Sequence, residues 1–233
     1  MLYIKDFSRV SSTMKISYAI TVCNEARDLY SLLNFLKTVK DPEDEINILL
    51  DSAHTTESVR NVLKLFSDTI VVNERDFDGD FATHRNYHLT KCSGDYIFIV
   101  DADEMPKEKL VKMIKSIIED SGADLVTVPR INIHPGCTQK WLDKYGFKTN
   151  ELDWINWPDN FCRVFKNDPD RIKYNKELHE TIVGATKPVS INADPSLAVW
   201  HIKSIDKQDC RWDSDGNFDY KVPDTKNFYE TLM

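Results

Sequence analysis

The stretch Tyr96-Ile97-Phe98-Ile99-Val100-Asp101-Ala102-Asp103-Glu104-Met105-Pro106 decides how this chain is read. Its apolar start is the pattern of a strand buried on both faces. Three carboxylates then fall within four positions, and Pro106 opens a helix predicted over Pro106–Glu119, with Leu110, Val111, Ile114, Ile117 and Ile118 on one face. A helix N-terminus is served by one acid, a role assigned to Glu104. Asp101 and Asp103 are left over, and their i, i+2 spacing as a strand turns into a loop presents two oxygen donors toward one side. That arrangement suits a hard divalent cation such as Mg²⁺ or Mn²⁺.

Outward from this stretch the first half of the chain alternates. Lys15–Val22 reads as a strand, and Asn24–Leu36 as a helix with Leu29, Leu32, Leu33 and Leu36 at helical spacing. Ile46–Leu50 is a strand ending at Asp51, followed by a helix near Thr56–Phe66 and a strand Thr69–Val72. An acidic loop Glu74–Asp80 leads to a polar helix near Ala82–Lys91, and Asp124–Ile131 is one more strand. Strands alternating with helices predict an α/β fold with a mostly parallel sheet flanked by helices. Ligands bind such sheets at the carboxyl ends of the strands, which puts Asp51 and Asp101 on one edge. After residue 131 the periods become short and irregular, and all five tryptophans (Trp141, Trp154, Trp157, Trp200, Trp212) lie there.

Composition narrows the functions. At 233 residues and 41% hydrophobic content the chain can fill a sizeable core. The formal charge of −8 argues against a nucleic-acid partner. No run approaches the roughly 18 apolar residues of a membrane span, and the start lacks the order of a signal peptide, so a cytoplasmic protein is expected. Five scattered cysteines, Cys23, Cys92, Cys137, Cys162 and Cys210, fit a reducing compartment and no disulfide or zinc framework. With 7 glycines and neither G-x-G-x-x-G nor a P-loop, a classical dinucleotide or P-loop enzyme is disfavoured. The run Asp76-Phe77-Asp78-Gly79-Asp80 fails as an EF-hand, because its twelfth position is Tyr87 rather than Glu.

The segments "ISYAITVCNEARDLYSLLNFL", Asp51 and "DFATHRNYHLTKCSGDYIFIVDADEMP" together resemble a family 2 glycosyltransferase of the GT-A fold, in order and in spacing. The likeness covers roughly residues 15–130. "RIKYNKELHETI" and "WHIKSIDKQDCRW" are similar to the His-Glu and His-containing segments of some members. Ser52-Ala53-His54-Thr55-Thr56 departs from the Ser-x-Ser-x-Asp that often follows the second strand. Residues 1–13 have no clear period and Met14 directly precedes a strand-like run, so they read as an extension; the resemblance implies one GT-A domain over 14–233, with a nucleotide-sugar half (14–130) and an irregular acceptor-side half (131–233).

By the same resemblance Thr21, Asn24, Glu25 and Asp51 line the nucleotide pocket, and Arg85 meets phosphate oxygens. Asn86 supports the loop beside it. Asp103 is the leading metal ligand, Asp101 reaches the ribose or the metal, and His201 is a late third ligand. Glu180 in Leu178-His179-Glu180 is the candidate general base, with Asp159 as runner-up and Trp154 or Trp157 near the acceptor. The implied reaction is a metal-dependent (Mn²⁺ or Mg²⁺), inverting transfer from a nucleotide sugar, UDP-linked, to an acceptor hydroxyl on a glycan. The alternatives are a nucleotidyltransferase of related fold and a non-catalytic carbohydrate-binding protein.

Overall fold

The computed structural model describes residues 13–209. Cys210, Trp212 and all but Thr13 of the expected extension lie outside them. The predicted alternation is present as β1 (Ile16–Val22), α1 (Ala26–Val39), β2 (Glu45–Asp51), α2 (Glu57–Leu65), β3 (Val71–Arg75), α3 (Phe81–Leu89) and β4 (Tyr96–Asp101). These strands pair in parallel in the order β3-β2-β1-β4. The leucine stripe of α1 explains its seat: Leu29, Leu32, Leu33 and Leu36 are fully buried against the sheet. Each contributes about 1.5–3 kcal/mol of transfer free energy. Thr56 caps α2 by accepting from Val59 N, and Asp80 caps α3 by accepting from Thr83 N.

After β4 come β5 (Glu104–Pro106), α4 (Glu108–Ser121), β6 (Leu125–Ile133), α5 (Gln139–Tyr145) and β7 (Ile155–Lys166). Then follow β8 (Lys173–Asn175), β9 (Thr181–Val183), β10 (Pro188–Ser190), β11 (Val199–Ile202) and α6 (Ile205–Asp209). The sheet continues as β4-β7-β6-β11-β5, with β7 antiparallel to both neighbours and β10 joined to β6. Strands β8 and β9 form a separate ribbon. The fold is thus α/β with a mixed, mostly parallel central sheet.

Most boundaries shift by one to three residues from the sequence reading, and two of the shifts have a clear cause. Pro106 ends β5 instead of opening a helix, and α4 starts at Glu108. A proline is tolerated there because β5 is an edge strand with no neighbour beyond it. Strand β3 runs later than Thr69–Val72 because an edge strand accepts polar residues, so Glu74 belongs to it rather than to the acidic loop.

The position of β5 shapes the molecule. Strands β4 and β5 stand four places apart in the sheet, about 19 Å if it were flat. Only Ala102 and Asp103 join them, and three residue steps from Asp101 to Glu104 reach about 11 Å at most. The sheet therefore curls until β5 lies beside the end of β4, and the acidic link closes the ring.

Candidate active site

The carboxyl ends of β1, β2 and β4 open into a cavity of about 480 Å³, within the range of ligand pockets. Its first wall comes from strand ends. Thr21 is in register with Asp101, so β1 and β4 deliver them side by side. Glu25 accepts from the amides of Cys23 and Asn24 at 3.0 Å, shaping the turn into α1. Asp51 at the end of β2 is buried and organises what surrounds it. One oxygen accepts from Ala53 N and Phe77 N at 3.1 Å, and the other meets His54 Nδ1 at 2.8 Å. Burial, then the charges of Glu25 and Asp51, push the Cys23 thiol up to about 12, so it is an inert lining group.

The second wall is a chain of charges. Arg85 on α3 reaches Asp101 Oδ1 at 2.8 Å through Nη2 and Glu180 Oε1 at 2.7 Å through Nε. Arg85 thus turns away from the acidic loop that precedes α3, which is bridged instead by Arg75, to Asp78 at 2.8 Å. Asp101 Oδ2 lies 3.4 Å from Arg163, and Arg163 also binds Glu104 in a short ion pair. Burial alone would raise the Asp101 carboxyl, but Arg85 and Arg163 outweigh it and hold it well below the usual carboxylate range. Glu104, expected at the cap of α4, is instead fully buried between Arg163 and Arg130, with Arg130 at 3.3 Å. Arg130 continues to Asp159 at 2.8 Å, and Asn132 Nδ2 donates to the same Asp159 oxygen at 2.6 Å.

Asn132 then sets the state of His201. Its amide nitrogen is committed to Asp159, so Oδ1 faces His201 Nδ1 at 2.8 Å and accepts a hydrogen bond from the Nδ1–H. Burial lowers the His201 pKa to about 3, so the ring is neutral with its lone pair on Nε2. Nε2 stands 3.8 Å from Asp103 Oδ2. A lone-pair nitrogen and a carboxylate oxygen at that separation fit two neighbouring ligands of one small cation, the histidine being oriented from its far side as metal-bound histidines are. Lys207 Nζ of α6 lies 3.4 Å from the same Asp103 oxygen. Asp101 faces the arginines instead, and among the described residues no three acidic, histidine or cysteine groups form a metal cage. Asp103 and His201 therefore offer a two-point site, to be completed by ligand oxygens and water.

Of the residues singled out from sequence, Thr21, Glu25, Asp51, Arg85, Asp101, Asp103, Glu180 and His201 all line this cavity. Asn24 does not: it is buried behind the β1–α1 turn. Asp159 also lies outside the lining, where its carboxylate positions Arg130 and Asn132. Trp154 and Trp157 pack edge to face at 5.1 Å, Trp154 also meets Trp200, and none of the three lines the cavity. Asn86 acts as expected, making a 2.9 and 2.8 Å pair of hydrogen bonds with the Tyr174 backbone and so fixing β8 against α3. Phe81 N donates to Glu177 O at 3.0 Å, which ties the Glu180 loop to the same helix. Sequence reasoning missed Arg130, Arg163 and Lys207. A single arginine inside the mostly apolar β6 was the available signal for Arg130, while β7, with Asn156, Asp159, Asn160 and Lys166 beside Arg163, offered none.

A curled α/β sheet whose parallel strands end in an Asp-x-Asp link over a polar cavity defines the GT-A class of glycosyltransferase folds. The description Glycosyl transferase family 2 matches residues 17–176, well over half of the chain, and the chain belongs to that family. It is 29% identical over 195 residues to the SPbeta prophage-derived glycosyltransferase SunS of Bacillus subtilis (strain 168), and equally to glycosyltransferase SunS of Bacillus phage SPbeta. These alignments take in 82% of this chain but 40% of each relative, so the chain spans well under half of their length. Among solved structures, S. aureus TarS 1-349 superposes with a TM-score of 0.58 at 16% identity, covering 81% of this chain and 60% of that one. The same protein in complex with UDP-GlcNAc gives 0.57 at 16% identity, with 82% and 59% covered. At that identity the likeness speaks for the fold.

Proposed function

We propose that this chain transfers a sugar from a nucleoside-diphosphate sugar, UDP-linked, to an acceptor hydroxyl with inversion, using a divalent cation. The observation that carries this reading is the Asp103–His201 pair at 3.8 Å, its nitrogen lone pair freed by Asn132, on the rim where the parallel strands end. Asp103 and His201 would hold Mn²⁺ or Mg²⁺, which when bound stabilises the charge of the departing diphosphate. Support for a nucleotide-sugar donor comes from family membership and from the UDP-GlcNAc complex of TarS.

The chain's own residues do the rest. Arg85, with its guanidinium at the cavity wall, can exchange part of its bonding from Asp101 to phosphate oxygens. Glu180 is oriented through one oxygen by Arg85, and Oε2 accepts no hydrogen bond among the described residues. That second oxygen takes the acceptor proton as the hydroxyl attacks the sugar carbon opposite the leaving group.

Calorimetric titration of UDP, GDP, CDP and TDP, with and without Mn²⁺, tests the reading on the wild type and on Asp103→Asn. Cation-dependent binding of one diphosphate, lost in the variant, is the expected outcome. Absence of binding under every condition would overturn it and favour a carbohydrate-binding protein without turnover.

A further inference from the structure

His84 lies on α3 one residue before Arg85 and lines the cavity on the side of Asp51, Phe77 and Phe81. It is 2% exposed, and its two ring nitrogens differ sharply. Nδ1 lies 3.0 Å from Arg75 Nη1. A guanidinium cannot accept a hydrogen bond, so Nδ1 must, and the proton of the neutral ring resides on Nε2. Burial, reinforced by Arg75, lowers the His84 pKa to about 4, which keeps the ring neutral. Nε2 is therefore a donor of fixed direction, and it is buried with no hydrogen-bond partner.

An orphaned buried N–H costs about 1–3 kcal/mol and calls for a reason. Bulk water does not reach the atom. The surroundings are those of a flat heteroaromatic ligand: the Phe77 and Phe81 rings are 4.6 Å apart, and Phe77 meets His84 edge-on at 5.3 Å. Asp51, whose charge also acts on His84, contributes acceptor oxygens to the same wall.

We propose that His84 reads the base of the donor nucleotide, its Nε2–H donating to a ring carbonyl while Asp51 accepts from the neighbouring ring N–H. To reach the sealed donor the base must enter from the cavity side, where Phe77 packs edge-on against His84. The ligand class is a base with a carbonyl beside a ring N–H, as in uracil; cytosine lacks that ring N–H and fits poorly. This inference rests on the nucleotide-sugar reading and deepens it by naming what selects the base.

The test is calorimetric binding of UDP, 2-thio-UDP, 4-thio-UDP and CDP, with Mn²⁺, to the wild type, His84→Phe and His84→Gln. Replacing a carbonyl by a poorly accepting thiocarbonyl weakens wild-type binding about tenfold for one of the two analogues. The inference expects that penalty to vanish in His84→Phe, which keeps a ring without the donor, and to persist in His84→Gln, whose amide can stand near Nε2. Equal thio penalties in the wild type and His84→Phe would overturn it while leaving UDP binding, and so the donor reading, intact. No diphosphate binding to the wild type would overturn both. If His84→Phe does not fold, ¹⁵N-histidine spectra of the wild type decide. A downfield move of the His84 Nε2 proton with UDP but not with CDP supports the contact, and no move with either removes it.

Discussion

In the β1–β4 half of the site the polar groups stand where buried parallel strands end, and backbone register alone brings Thr21 beside Asp101. Along the facing wall, which meets the first at Asp101 and draws on α3, β5, β6, β7 and the loop before β9, each polar group is held by the next: Glu180, Arg85, Asp101, Arg163, Glu104, Arg130 and Asp159 alternate in sign without a break. The first half owes its geometry to topology and tolerates local change. The second owes it to mutual compensation, so one missing member leaves its neighbour buried and uncompensated. Asp103 sits where the two meet.

The sharpest way to break this division is to remove the residue at the junction. Asp103→Ala is expected to abolish detectable transfer, a loss of about a thousandfold or more, with the thermal midpoint nearly unchanged. Retained turnover would detach the Asp-x-Asp link from the chemistry. Next, Glu180→Gln should lower kcat by about 10²–10⁴ while diphosphate affinity moves only a few-fold. A parallel loss of both in single-turnover and binding assays would make Glu180 structural. Asp159→Asn is expected to affect kcat less than Glu180→Gln, since it acts through Arg130 and Asn132.

The compensated half can be probed by stability. Arg163→Met removes the shorter-range of the two arginine partners of fully buried Glu104, leaving Arg130, and should cost about 3 kcal/mol in denaturant unfolding. Adding Glu104→Gln should restore part of it, and additivity of the two changes would refute the compensation. The smallest effect is on pH. His84 and His88 have folded pKa values of about 4 and about 3, depressed mainly by burial. With His201 also at about 3, unfolding takes up about three protons on these rings near pH 5, so their contribution to stability is full above about pH 6.5 and falls as pH drops toward 3. A flat stability profile between pH 7 and 5 would show that these rings are not held neutral.

The same division governs what the sequence reveals. Buried strands show as short continuous apolar runs and amphipathic helices carry a period of 3.6, so β1, α1, β2, α2 and β4 fall within a few residues of their predicted places. The strand-end acids could be found because topology puts them there. Glu104 was misread because its partners, Arg130 and Arg163, are 26 and 59 residues away, and no local pattern joins them. Strands β5, β8, β9 and β10 have three residues each, too short for a period, and exist through distant pairing. The role of Lys207 depends on a five-residue helix returning to the site, which composition does not announce.

The two-residue link between β4 and β5 has a mechanical meaning. Because it closes the curled sheet, the segment that carries Asp103 cannot swing away on its own; freeing it requires β5 to part from β11 and the ring to open. In native-state hydrogen exchange the Asp101 amide, which donates to buried Glu104, should therefore exchange by global rather than local opening. Any motion that admits or releases ligand must then belong to the elements around the clasp, with the clasp itself as the fixed point against which they move.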